Sequence, residues 1–212
     1  MQRVAIGFIL GALLLAFTYA TGVAQTIQAI VQCETTDEIC LGGEGNDTID
    51  GTEEADEIWA GGGNDSVDAR GGEDTVYGQK GNDLILGENG NDPNLQGNAG
   101  DDDVYGEDGD DTVSGNAGQD YLEGNRGDDV LAGGENNDDI DARGDLAGQE
   151  DFVYGGPGND EINSQDGVKD TIQCGSGTDT VFHDAIDVVA ADCENKSTGA
   201  PPADFLEEED LL

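Results

Sequence analysis

Cations, histidine and large side chains are all scarce in this sequence. Its 212 residues include 7 Lys plus Arg, one His, one Trp and one Met, against 49 Asp plus Glu and 35 Gly, for a formal net charge of -42. Without a basic face there is no electrostatic footprint for nucleic acid or for direct binding to anionic membrane, because phosphate is repelled at long range. With a single histidine, His183, and no H-E-x-x-H, G-x-S-x-G or P-loop motif, the usual marks of proteolysis, esterase chemistry and phosphoryl transfer are missing. His183 reads as a cap residue rather than a base. Acids are plentiful enough for a glycosidase-like pair, but the repeat described below accounts for them, and the sequence predicts no enzyme. The absence of any CxxC argues against a thiolate metal site. Dense glycine without a Gly-X-Y period is not collagen. So much like charge on so little apolar bulk describes a disordered chain, unless a partner neutralises the acids. Multivalent cations suit that role best.

Long apolar runs are also missing, with one exception. Val4 to Ala20 (VAIGFILGALLLAFTYA) follows Arg3 and precedes Thr21-Gly22-Val23-Ala24. This reads as a signal peptide over residues 1–24, cleaved after Ala24 or after Ala20. An uncleaved anchor is the alternative, since about twenty apolar residues span a bilayer. Either form predicts export, to the extracellular space or the cell surface. Oxidising compartments let disulfides persist. Cys33 and Cys40 lie before the repeats, Cys174 and Cys193 at and beyond their end, and four cysteines allow three pairings. At the other terminus, residues 195–212 carry Pro-Pro and acid runs and read as an acidic, disordered tail.

What the sequence has in abundance is a repeat. "GGEGNDTID" at Gly42–Asp50 recurs in near-copies, and its last acid aligns at Asp47, Asp56, Asp65, Asp74, Asp83, Asp92, Asp102, Asp111, Asp120, Asp129, Asp138, Asp151, Asp160, Asp170 and Asp179. Of the fourteen intervals between these fifteen positions, eleven are nine residues long. Two residues after each Asp stands an aliphatic side chain, from Ile49 and Ile58 to Ile172 and Val181, except at Asn94, which follows Pro93. Two residues before most of them stands glycine, as at Gly45, Gly63, Gly81 and Gly100.

A short fixed period marks a solenoid, whose units bury their apolar face by stacking. Here the glycine-rich six residues supply positive-φ turn positions. The remaining x-aliphatic-x triplet suits a very short strand with one side chain inward. Two turns and two strands, eighteen residues, complete one flattened coil, and coils stack ~4.8 Å apart. Asp47 then lies under Asp65, and Asp56 under Asp74, giving two columns of carboxylates. At that spacing and an effective dielectric of ~20, each like-charged pair costs about 3.5 kcal/mol. A hard divalent cation reverses the sign. Ca²⁺ accepts six to eight oxygens in forgiving geometry, whereas Mg²⁺ needs a stricter cage and zinc prefers nitrogen and sulfur. Multiple Ca²⁺ ions are thus the predicted cofactor, and their binding energy becomes folding energy.

The pattern G-G-x-G-N-D-x-I-x, intact at Gly42–Asp50 and nearly so at Gly155–Asn163 (GGPGNDEIN), resembles the RTX (repeats-in-toxin, hemolysin-type) calcium-binding nonapeptide repeat of bacterial secreted proteins. The resemblance covers roughly residues 42–182. It implies an all-β, right-handed parallel β-roll in which the sixth-position aspartate and turn carbonyls hold Ca²⁺, a role that falls on the fifteen aspartates above. Glu54, Asn136, Gln149 and Val168 replace the turn glycine ahead of Asp56, Asp138, Asp151 and Asp170. The longer intervals ending at Asp102, Asp151 and Asp170 must bulge outward.

Fifteen units make about 7.5 coils, a stack of roughly 36 Å at the strand spacing. Cysteines at opposite ends are then too far apart for the ~5.5 Å Cα separation of a disulfide. The expected pairs are Cys33–Cys40 and Cys174–Cys193, stapling an N-terminal cap (25–41) and a C-terminal cap (183–194) around the β-roll (42–182). Beside the buried aliphatic positions stand outward aromatics, and Trp59 and Tyr77, two units apart, should meet on one outer sheet as a surface patch for a sugar or a partner, or simply as cross-strand packing. The predicted function is a secreted calcium-binding repeat protein that folds on Ca²⁺ and serves as a structural or cell-surface module, joined to envelope polymer or to another secreted protein. An accessory or truncated relative of RTX hydrolases or toxins is the alternative.

Overall fold

The computed structural model describes residues 30–33, 39–144 and 149–201. The predicted signal segment 1–24 lies outside them, as do residues 202–212 of the predicted tail. All regular structure among the described residues is β, arranged as two parallel sheets that the chain enters alternately. One sheet stacks ten strands in the order Ile30–Gln32, Thr48–Asp50, Ser66–Asp68, Leu84–Leu86, Asp103–Asp108, Tyr121–Arg126, Asp139–Asp141, Glu161–Ser164, Thr180–His183 and Asn195–Ser197. The other stacks nine: Ile39–Glu44, Glu57–Gly62, Thr75–Lys80, Asn94–Ala99, Thr112–Ala117, Val130–Glu135, Phe152–Pro157, Thr171–Ser176 and Val188–Val189. This is the expected β-solenoid.

Each triplet behaves as its pattern dictates. The aliphatic residue between two outward neighbours is fully buried, from Ile49 and Ile58 through Ile172 and Val181, so the core is one double row of branched side chains between the sheets. Register follows the period, with Ile49 against Val67 and Val67 against Ile85. Turn glycines are forced by crowding as well as by φ. Gly81 sits at φ 119°, and a Cβ there would run into the Gly63 carbonyl of the preceding coil. Asn136, one of the replacements, adopts φ 84° at the same position, which asparagine tolerates better than other side chains.

Two features differ from expectation. The solenoid has about nine turns rather than 7.5, because the segments around the repeats form coils too. Ile30–Gln32 and Ile39–Glu44 pair with the first repeat strands, and Val188–Val189 and Asn195–Ser197 with the last. The final strand therefore begins inside the stretch assigned to the tail. Second, Asn94 does not break the core. The extra residue of that ten-residue interval is absorbed at Pro93, so Leu95 takes the buried place, in register with Val76 and Val113. Cys40, Cys174 and Cys193 also join the hydrophobic core. Both expected disulfides are present, Cys33–Cys40 with Cα atoms 5.7 Å apart and Cys174–Cys193 with 5.1 Å, one near each end.

Candidate metal centre

The turn between one triplet and the next brings each repeat aspartate to the edge of the roll, and the nine-residue period sends alternate aspartates to opposite edges. One column runs Asp47, Asp65, Asp83, Asp102, Asp120, Asp138, Asp160, Asp179; the other runs Asp56, Asp74, Asp92, Asp111, Asp129, Asp151, Asp170. Within each, the backbone N–H of one aspartate donates to Oδ1 of the aspartate one coil further on, as Asp65 does to Asp83 at 2.8 Å and Asp111 to Asp129 at 2.8 Å. All fifteen aspartates are at most 5% exposed. The units that lack the turn glycine keep their place: Asp129 donates to Asp151, Asp151 to Asp170 and Asp120 to Asp138. Asp56 differs in part. Its Oδ2 accepts from the N–H of Thr52 at 2.7 Å and from the Thr52 hydroxyl.

Sequence reasoning missed the ends of these columns. Asp179 donates to Glu194 and Asp170 to Asp187, each at 3.1 Å. Neither acid follows the period, so spacing gave no signal. A second ladder also escaped notice. At the position just before the aspartate, the N–H of Asn64 donates to the Asn46 side-chain oxygen, Asn82 to Asn64, and Asp101 to Asn82. These bonds point to the preceding coil, whereas the aspartate bonds point to the following one. Adjacent coils are thus tied at the same turn in both directions.

The second carboxylate oxygen is the unusual atom. Oδ2 of Asp65, Asp74, Asp83, Asp92, Asp102, Asp111, Asp120, Asp138, Asp160 and Asp179 is buried with no hydrogen-bond partner. A buried charged oxygen in that state is costly. Backbone oxygens lie close by. A Cβ placed on Gly106 would be 2.6 Å from Asp111 Oδ2 and 2.9 Å from the Gly124 carbonyl; on Gly155, 2.6 Å from Asp160 Oδ2 and 2.6 Å from the Cys174 carbonyl. The glycine five residues before the aspartate is therefore what lets a carboxylate oxygen and a carbonyl of the next coil converge. Several units carry this glycine in the sequence, yet its role was not recognised.

Electrostatics agree with the cost. Burial pushes Asp74, Asp92, Asp102 and Asp138 up to about 7, and Asp83, Asp111, Asp120 and Asp160 up to about 6. The backbone N–H that each accepts opposes the rise, and neighbouring acids add to it. A cation lodged beside Oδ2 would remove this penalty. The donor set is all oxygen, which suits a hard ion such as Ca²⁺. Among the described residues no three acidic, histidine or cysteine side chains form a metal-holding group of their own, and the carbonyls that converge on Oδ2 are the further protein oxygens at hand. His183 stands apart from both columns in hydrogen bonding, its Nδ1 donating to the Asp184 carbonyl at 2.7 Å. Trp59 and Tyr77 do meet, on the outer face of the nine-stranded sheet, with ring centroids 4.5 Å apart.

Fold and site together define a calcium-binding parallel β-solenoid. The RTX calcium-binding nonapeptide repeat (4 copies) matches residues 41–76, 67–92, 94–122, 114–145 and 148–168. The chain belongs to this family, and Ca²⁺ is its ion. No curated protein matches the chain.

Proposed function

We propose that this is an exported, non-catalytic repeat protein that folds when it meets millimolar extracellular Ca²⁺ and then serves as a structural or cell-surface module. The observation that carries the reading is the row of buried, unpartnered Oδ2 atoms along two edges of the roll. The column aspartates, from Asp47 to Asp179 on one edge and Asp56 to Asp170 on the other, are the residues that would hold the ions, with turn carbonyls alongside. Bound calcium supplies positive charge that offsets carboxylate repulsion and the desolvation of Oδ2. The chain's own part is to bring acids and carbonyls to one edge by stacking. Export is supported by the N-terminal apolar run and by two disulfides, which persist in oxidising compartments. Shared calcium offers a link between this acidic rod and envelope polymer. Fractionating cells that express the full chain tests the assignment: the protein should sit in the envelope or medium and leave the envelope on chelation. Retention inside the cell contradicts it.

A further inference from the structure

Acids are distributed unevenly over the rod. In the eight strands from Ile39–Glu44 to Thr171–Ser176 of the nine-stranded sheet, the two residues flanking each core side chain face outward. Those sixteen positions hold one acid, Glu57, although 49 acids in 212 residues would place about four there. The equivalent positions of the ten-stranded sheet include Asp50, Asp68, Asp103, Glu123, Asp139 and Asp141. A chain of net charge -42 thus keeps one broad face nearly uncharged.

That face has a definite chemistry. Leu41, Trp59, Tyr77, Gln96, Ser114, Ala132, Tyr154 and Gln173 stand in one register column, one residue per coil. Trp59 is 37% and Tyr154 41% exposed. The lone acid is engaged, since Trp59 Nε1 donates to Glu57 at 3.0 Å. Between the aromatic ends, Asn98 Nδ2 donates to Gln96 Oε1 at 2.8 Å and Gln96 Nε2 to Asn94 Oδ1 at 2.6 Å, which holds the amides in line.

The mixture selects among occupants. A second copy would bring another rod of the same large negative charge alongside. A wholly apolar surface would strand the amides and the Ser114 hydroxyl without partners. An uncharged polysaccharide offers C–H faces to the aromatic rings and hydroxyls to the amides, without electrostatic penalty. Strands stack ~4.8 Å apart, close to the length of one pyranose unit, so the column presents about one side chain per sugar. We propose that the outer face of the nine-stranded sheet binds an uncharged polysaccharide laid along the solenoid axis. Trp59, Tyr77 and Tyr154 stack on sugar rings, and Gln96, Ser114 and Gln173 hold hydroxyls. This goes beyond the module assignment by naming what the folded rod grips.

The full chain, loaded with calcium, is to be incubated with insoluble cellulose, mannan and chitin, and the bound fraction read by depletion. At least one polymer should retain it. Trp59→Ala and Tyr154→Ala should each weaken retention at least tenfold, and Trp59→Phe should recover most of it. Failure of every polymer to retain the chain overturns the proposal, as does retention indifferent to Trp59→Ala. So does a calcium-dependent dimer that Trp59→Ala dissociates, because the face would then belong to a second copy. Circular dichroism on the same samples reports folding separately, so a chain that folds with calcium but binds none of the polymers sinks this inference alone.

Discussion

The backbone N–H of Asp83 donates to the Asp102 carboxylate at 2.8 Å, joining residues nineteen apart in sequence through an oxygen whose twin, Asp102 Oδ2, is buried without a partner. One carboxylate thus has a structural oxygen and an ion-seeking oxygen. Asp102→Asn separates the two roles, because the amide oxygen still accepts while the charge is gone. It should raise the residual β content of the calcium-free chain and also raise the calcium concentration at half-folding, both read by far-UV circular dichroism. A variant that changes neither contradicts the division of labour.

Asp83→Ala removes both roles at a regular unit. Loss of a charge-assisted hydrogen bond costs about 1.5–3 kcal/mol, which should appear as a higher calcium midpoint for folding, the shift being spread over all the ions that bind with folding. Glu88→Ala, an acid outside the columns, should shift it far less. Equal shifts would mean that diffuse charge, not site chemistry, attracts the ion.

Gly106→Ala tests the convergence of oxygens. Its Cβ would lie 2.6 Å from Asp111 Oδ2, whereas a Cβ on Gly62 would meet only the movable Glu44 carboxylate at 3.2 Å. Isothermal titration calorimetry should find fewer calcium ions bound to Gly106→Ala and an unchanged number on Gly62→Ala.

These tests sort what the sequence made legible. Period, strand triplets and both aspartate columns were readable because stacking enforces a strict nine-residue spacing on aliphatic and acid alike. Leu95 was not, since Pro93 shifts its unit by one residue and places asparagine where the pattern wants an aliphatic. Asp187 and Glu194 close the columns from irregular segments, where no period points to them. The asparagine ladder was hidden because its acceptor is Asn46, Asn82 or Asp101 alike, any short side-chain oxygen serving the same bond. Of the extra strands, Ile39–Glu44 was missed because Cys40 stands where the repeats carry an aliphatic residue, and Asn195–Ser197 because Lys196 does.

Acid should partly replace calcium. The raised column aspartates, about 7 for Asp74 and Asp92 and about 6 for Asp83 and Asp111 against an ordinary 3.8, favour the metal-free fold when protonated. That contribution is fully present below about pH 4 and is lost as the pH rises through about 6 to 7. In metal-free buffer the β signal should therefore grow as the pH falls from about 7.5 to 4. Protons and calcium compete for the same oxygens, so the calcium midpoint should rise over the same descent. A metal-free β signal that instead grows with pH contradicts the sign.

The Cys174–Cys193 bridge closes a segment of 19 residues at the last regular coils. Removing such a bridge costs about 2–4 kcal/mol. A Cys174→Ser/Cys193→Ser double variant should need more calcium to fold and should melt at lower temperature in saturating calcium, measured by thermal circular dichroism.

The most direct measurement is far-UV circular dichroism of the full chain at neutral pH during a Ca²⁺ titration, with Mg²⁺ as control. A coil spectrum in excess chelator, a cooperative rise of β signal with calcium and little response to magnesium are the predicted result. A strong β spectrum in chelator at that pH would show that the carboxylate columns are tolerable without the ion, and would contradict the claim that calcium holds this fold together.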